Sequence, residues 1–214
     1  MAKSNYIVAL IVTVAILLLV FFYIKGLEDS KFNELNKELD TIVLENTLFS
    51  AYSDFDLENK DAYCAVVSQG ISNLSKRASS LEQRLAGYKE SSFNSEEFIL
   101  TKRNYLMANM FLYKSYAAAK DRCDLNTKLV LFFYAEDNSC GSDCGVIGTQ
   151  LFALAQNCSS FKNFNFPYNS PLYEFTKIIE AKYGVDKSAT YVIDGKKYVG
   201  AMNNSEFSSL LGCS

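Results

Sequence analysis

Between Tyr6 and Ile24 the chain reads YIVALIVTVAILLLVFFYI, 19 residues without a charge, a glycine or a proline. At 1.5 Å per residue a helix of that length approaches the roughly 30 Å of a bilayer's hydrocarbon core. A helix apolar on every side also has no polar face to turn to water. The run therefore predicts a signal-anchor transmembrane helix over residues 1–25. A cleaved signal peptide fits less well, because its apolar core spans about 7 to 15 residues and ends in a small-x-small site, which FFYIKGLEDS does not supply. Lys3 flanks the run on one side and Lys25, Lys31 and Lys37 on the other, so counting lysines slightly favours a cytoplasmic body. The short head, the ease with which long domains translocate, and the cysteine content favour the reverse. The expected placement is a single-pass membrane protein with its N-terminus cytoplasmic and its body extracytoplasmic.

The remaining composition narrows the function classes. Apolar residues make up 49 % of the 214, with 16 Phe and 14 Tyr, so material for a core is ample. The net charge of −3, with Lys and Arg scattered, gives no basic stripe, and nucleic acid is not an expected partner. There are no histidines, which removes Ser-His and Cys-His catalysis and every metal site that needs imidazole. No cofactor and no metal site are expected.

Residues 26–124 read as an α-helical spacer. From Lys31 to Tyr52 the apolar residues Phe32, Leu35, Leu39, Ile42 and Phe49 fall on a heptad stripe, with polar Asn46 filling the remaining place. A second stripe, from Cys64 through Val67, Ile71, Leu74 and Leu81 to Tyr88, keeps the same spacing and demands a partner helix. Ser95 to Lys120, with a wide apolar face that includes Phe98, Tyr105 and Leu106, is one candidate, and Ser91 to Ser95 forms the turn between the two. Folded as an antiparallel hairpin, the pair brings Cys64 opposite Cys123 and predicts a bridge, the alternative being two unpaired buried thiols. The first stripe can also serve a homodimeric coiled coil, with Asn46 setting the register.

After Cys123 the pattern changes. LVLFFY at Leu129 to Tyr134 reads as a strand buried on both faces. A cysteine-bearing loop follows, then a helix from about Asp143 to Asn157, a short strand at Lys162 to Phe166, and a helix opened by Pro171 and ended by Gly184. A hairpin turning at Asp194-Gly195 and a last helix from about Ser205 to Leu211 complete the order βαβαββα.

LVLFFYAEDNSCGSDCG followed by ATYVIDGKKYVGA resembles a thioredoxin-fold domain, with its cysteine pair at the first strand-to-helix junction and its closing hairpin. The resemblance covers residues 126–214. The expected fold class is thus an α/β thioredoxin-like domain preceded by the transmembrane helix and an all-α helical hairpin or coiled-coil region. The resemblance implies that the first and last helices of the domain share a face, so that Cys158 and Cys213 form a second structural bridge. With Cys64 and Cys123 paired, Cys140 and Cys144 are left for each other.

The family's oxidoreductases attack disulfides with the first cysteine of C-x-x-C, whose thiolate is favoured by the N–H groups of a helix N-terminus. The resemblance implies the roles of nucleophile for Cys140 and of resolving thiol for Cys144. Here the spacing is C-x-x-x-C, and Glu136, Asp137 and Asp143 lie nearby in sequence with no Lys or Arg beside them; negative charge opposes thiolate formation. The loop that faces the cysteines in the family falls at Ser188 and Ala189, where a cis-proline is usual. Two readings stand open: thiol-disulfide exchange with a protein substrate, or a redox-inert binding module whose three bridges are structural. A Sco-type copper site also resembles C-x-x-x-C, but its third ligand is a histidine, which this chain lacks.

Overall fold

The computed structural model describes residues 2–54, 59–89, 92–93 and 95–213, with the side chains of 2–11, 28, 48–54 and 138 outside the description. In chain order the described elements are α1 (Ala2–Asp54), α2 (Lys60–Ala86), α3 (Glu96–Arg122), β1 (Lys128–Tyr134), α4 (Asp143–Asn157), β2 (Phe161–Pro167), α5 (Lys177–Tyr183), β3 (Thr190–Ile193), β4 (Lys196–Val199) and α6 (Asn204–Leu211).

Two expectations are corrected at once. The transmembrane helix over residues 1–25 is not found: α1 runs on through Lys25 to Asp54, and no helix among the described residues is long and apolar enough to cross a membrane. Described side chains begin at Val12, and the uncharged stretch from there to Ile24 is 13 residues, about 20 Å of helix against a core of about 30 Å. Residues 6–11 of the apolar run have side chains outside the description. The single-pass placement, with a cytoplasmic N-terminus and an extracytoplasmic body, falls with that helix. The fold class changes too. Three helices of 53, 27 and 27 residues carry far more of the chain than strands of 7, 7, 4 and 4, so the molecule is mostly helical with one four-stranded mixed sheet.

The helices begin where the sequence can cap them. The Asn59 side chain accepts from the N–H groups of Asp61 and Ala62, and the Ser95 hydroxyl accepts from Phe98 N–H, with Glu96 and Glu97 in the first turn of α3 and Lys120 and Arg122 in its last. Val67, Ile71, Leu74, Ala78 and Leu81 of α2 are buried in the stripe order. Leu35 and Ile42 of α1 are fully buried in the same chain. The Asn104 side-chain amide of α3 donates to the Leu35 carbonyl at 2.8 Å, and Arg77 forks the Glu45 carboxylate with two bonds of 3.1 Å. Asn46 is half-buried with its Oδ1 unpartnered, and the side chain of Phe49 lies outside the description.

The sheet has the order β2-β1-β3-β4. β1 pairs with β2 in parallel, Leu131 opposite Phe164, and with β3 antiparallel, Phe132 opposite Tyr191. β3 and β4 form a hairpin whose Asp194 and Gly195 both take positive φ, 47° and 85°, as a tight two-residue turn requires. Alternation along β1 sends Leu129, Leu131 and Phe133 into one core with α2, α3 and α5. Val130 and Phe132 enter a second core with Ile147 and Leu151 of α4 and Phe207 and Leu211 of α6. The first core is continuous from Ile42 of α1 to the sheet. The helix expected from Pro171 is shorter than its sequence implied: Tyr173 is buried and its N–H donates to the Ser170 carbonyl, so the chain first makes a turn and a 3-10 segment at Glu174–Thr176. α5 then closes at Gly184 in the left-handed conformation.

Candidate functional site

β1 is buried through Phe133 and ends at Tyr134, which delivers the following loop to the edge of the sheet where α4 begins. The Asp137 carboxylate accepts from Ser139 N–H at 3.0 Å, an Asx turn that starts the 3-10 segment Asn138–Cys140. Ser142 then precedes α4, and its side chain makes no capping bond to the first N–H groups of the helix. Cys140 thus sits on the loop and Cys144 in the first helical turn. The two form a disulfide with Cα atoms 5.7 Å apart.

The cysteine pair is half-buried against the second core, in the cluster that also holds Tyr134, Tyr198, Met202 and Ala189. Ala189 precedes β3 with φ 54°, is buried, and accepts from Gly200 N–H at 2.8 Å. No described peptide bond is cis. Ser188 is half-buried beside it. The loop expected to face the cysteines therefore shares their apolar cluster, with a left-handed alanine at position 189. Beside it, Gly200 has φ 76°, and a Cβ built there would lie 3.4 Å from Asp143 Oδ2, so the β4 exit passes close over the start of α4.

Charge at the site is uneven. Asp137 is exposed, and the hydrogen bonds from Ser139 hold its carboxyl below the usual aspartate range. Neither Asp137 nor Asp143 has an ion-pair partner among the described residues. Glu136 does have one, which the sequence hid. Lys102 of α3 pairs with Glu136, four residues before Cys140, and its ammonium lies 5.9, 5.7 and 5.6 Å from the ring centres of Phe98, Tyr134 and Tyr173. The other Glu136 oxygen accepts from the buried Ser170 hydroxyl at 2.6 Å. Burial first, and the Glu136 charge second, push the Tyr134 and Tyr173 phenols far above their ordinary range, so both stay protonated. The sequence hints at this knot only by setting Lys102 between Phe98 and Tyr105, four residues after one and three before the other.

The other four cysteines are paired elsewhere. Cys64 and Cys123 join the first turn of α2 to the C-cap of α3, Cα atoms 5.6 Å apart and 59 residues apart in sequence. Cys158 and Cys213 join the ends of α4 and α6, 5.7 Å and 55 residues apart. Among the described residues no three Cys, Asp or Glu side chains converge as ligands would for a metal ion. No family model, no curated protein and no solved structure matches the chain.

Proposed function

We propose that residues 126–214 are a thioredoxin-like module and that Cys140 and Cys144 exchange disulfides with a protein substrate. One observation carries the reading: all six cysteines are half-buried alike, but of the three bridges only this one is local and set at a helix N-terminus, where Ser142 supplies no side-chain cap. Support for the fold part comes from a sheet with β1 next to parallel β2 and antiparallel β3, closed by a hairpin, with helices on both faces.

In the reduced form the Cys140 thiolate attacks one sulfur of a substrate disulfide, forming a mixed disulfide and expelling the other substrate sulfur as a thiolate that takes up a proton. The Cys144 thiolate then attacks Cys140 sulfur, the mixed bond breaks, and the second substrate thiol leaves. Two electrons pass to the substrate, and the pair ends in the bridged form seen here. Run in reverse, a substrate dithiol becomes a disulfide and reduces the pair. The N–H groups at the start of α4 stabilise the thiolates, and Asp137 and Asp143 oppose them.

Those two carboxylates also favour a second reading, a redox-inert module whose third bridge only holds the loop. A redox titration of the full chain, quenched by alkylation and read by mass spectrometry, separates the two. Exchange requires the Cys140–Cys144 pair to open at a potential above about −300 mV while the other two bridges stay closed, and Cys140→Ser to abolish turnover of a disulfide peptide. Equal resistance of all three bridges, with Cys140→Ser indistinguishable from wild type, would leave the inert module.

A further inference from the structure

We propose that Lys102 is a positioning residue for the cysteine pair: through Glu136 it ties the loop that carries Cys140 to α3, and so holds the Cys140 sulfur against Cys144. This rests on the exchange reading of the pair and adds to it the part of the molecule that tunes the exchange.

The argument starts from burial. The Lys102 side chain is only 17 % exposed, unusual for a lysine, which keeps its head in water unless paired. Its ammonium is enclosed by three ring faces and one Glu136 oxygen. The second Glu136 oxygen is taken by Ser170 on the segment after β2. Three stretches of chain, from α3, from the exit of β1 and from the exit of β2, thus meet at one carboxylate. From there to the cysteine the path is short and held: Glu136, the Asp137–Ser139 turn, then the 3-10 segment that ends at Cys140.

A loop held at both ends samples few positions. Cys144 is fixed in α4, whose Ile147 and Leu151 are buried. Fixing Glu136 limits where the reduced Cys140 thiol can go, which raises its effective concentration at Cys144 and favours the disulfide. Releasing Glu136 enlarges the volume the thiol explores and favours the dithiol. The helical region therefore sets the redox balance of a pair that it does not touch.

The test compares the full chain with Lys102→Met, Glu136→Ala and Lys102→Arg. Each is equilibrated in mixtures of reduced and oxidised dithiothreitol, acid-quenched, alkylated and analysed by mass spectrometry pair by pair. Lys102→Met and Glu136→Ala are expected to move the Cys140–Cys144 equilibrium about tenfold toward the dithiol, about 30 mV less negative for two electrons. Lys102→Arg, which keeps the cation, is expected to stay within about threefold of wild type, and the other two bridges are expected not to move. Lys102→Met bares a carboxylate and Glu136→Ala removes one, so shifts of opposite sign would assign the effect to charge and overturn the tether. No shift in either variant, or a shift shared by all three bridges, would overturn it as well. The exchange reading fails by a different result: no turnover of a disulfide peptide by wild type, with the Lys102→Met shift still present.

Discussion

The two ends of α4 each carry a disulfide, and the two bridges do opposite things to the chain. At the C-terminal end Cys158 reaches Cys213, 55 residues away. It clamps the last helix beside α4 on one face of the sheet, where Phe207 and Leu211 are fully buried. At the N-terminal end Cys144 reaches back four residues to Cys140, and no long stretch of chain is closed. One bridge constrains topology, and the other constrains only the loop it stands in. A bond that changes so little of the fold can be opened and closed without unfolding the molecule, which is the mechanical requirement for an exchanging pair.

The comparison breaks most readily on stability. In the chain-entropy account, a loop the size of that between Cys158 and Cys213 contributes about 4 kcal/mol, and one of a few residues about 2 kcal/mol. Replacing Cys158 and Cys213 by Ala is expected to cost about 4 kcal/mol in denaturant unfolding. The corresponding Cys140 and Cys144 double variant is expected to cost half of that or less. Equal losses would mean that the local bridge is also a clamp, and the contrast between the two ends would disappear.

How far these features could be read in advance depends on what kind of signal specifies them. Periodicity is local and cumulative: the unbroken stripe from Val67 to Leu81 defined α2, and its register against α3 was enough to set Cys64 opposite Cys123. The apolar run Leu129 to Tyr134 likewise announced a central strand. Continuity of α1 was not legible, since the change from apolar to charged residues at Lys25 reads as a boundary although nothing there breaks a helix beyond one glycine, Gly26. The start of α5 was misread because Pro171 favours a first helical turn, while burial of Tyr173, a tertiary effect, draws the chain into a turn instead. The Lys102–Glu136 pair was invisible for a third reason: its partners are 34 residues apart, on elements whose relative placement no periodicity specifies.

Two glycines sharpen the contrast at a smaller scale. Gly200 lies over the start of α4 and Gly212 over its far end, where a Cβ would meet Ser160 Oγ at 3.8 Å; their φ angles are 76° and 72°. An alanine at either position adopts a left-handed backbone at a cost of about 1 to 2 kcal/mol, so Gly200→Ala and Gly212→Ala are expected to lose similar stability in thermal or denaturant unfolding. Only Gly200→Ala crowds Asp143, at 3.4 Å, next to Cys144. It alone is expected to change the rate at which the local bridge is reduced, by a few-fold. If Gly212→Ala alters that rate equally, the two ends of the helix are coupled and the pair is not independent of the clamp.

The smallest expected effect concerns acid. Asp137 has a carboxyl held below its ordinary range first by the Ser139 side chain and then by the Ser139 backbone. A group whose folded pKa is depressed stabilises the folded state above its unfolded pKa, near 3.9, and loses that contribution as pH falls through the lower folded value. The Asx turn should thus persist at neutral pH and release only below about pH 4. At the other end of α4 the cysteine is followed by Ser159 and Ser160, which do not titrate. Carboxyl and amide NMR across that range is therefore expected to show Asp137 titrating below an unstructured aspartate, with the Ser139 amide following the same midpoint and the Ser160 amide unmoved. An Asp137 midpoint at or above the ordinary value would mean that the turn leading into Cys140 does not form in solution. The loop would then lack the held path from Glu136 to Cys140 on which the proposed tuning of the pair depends.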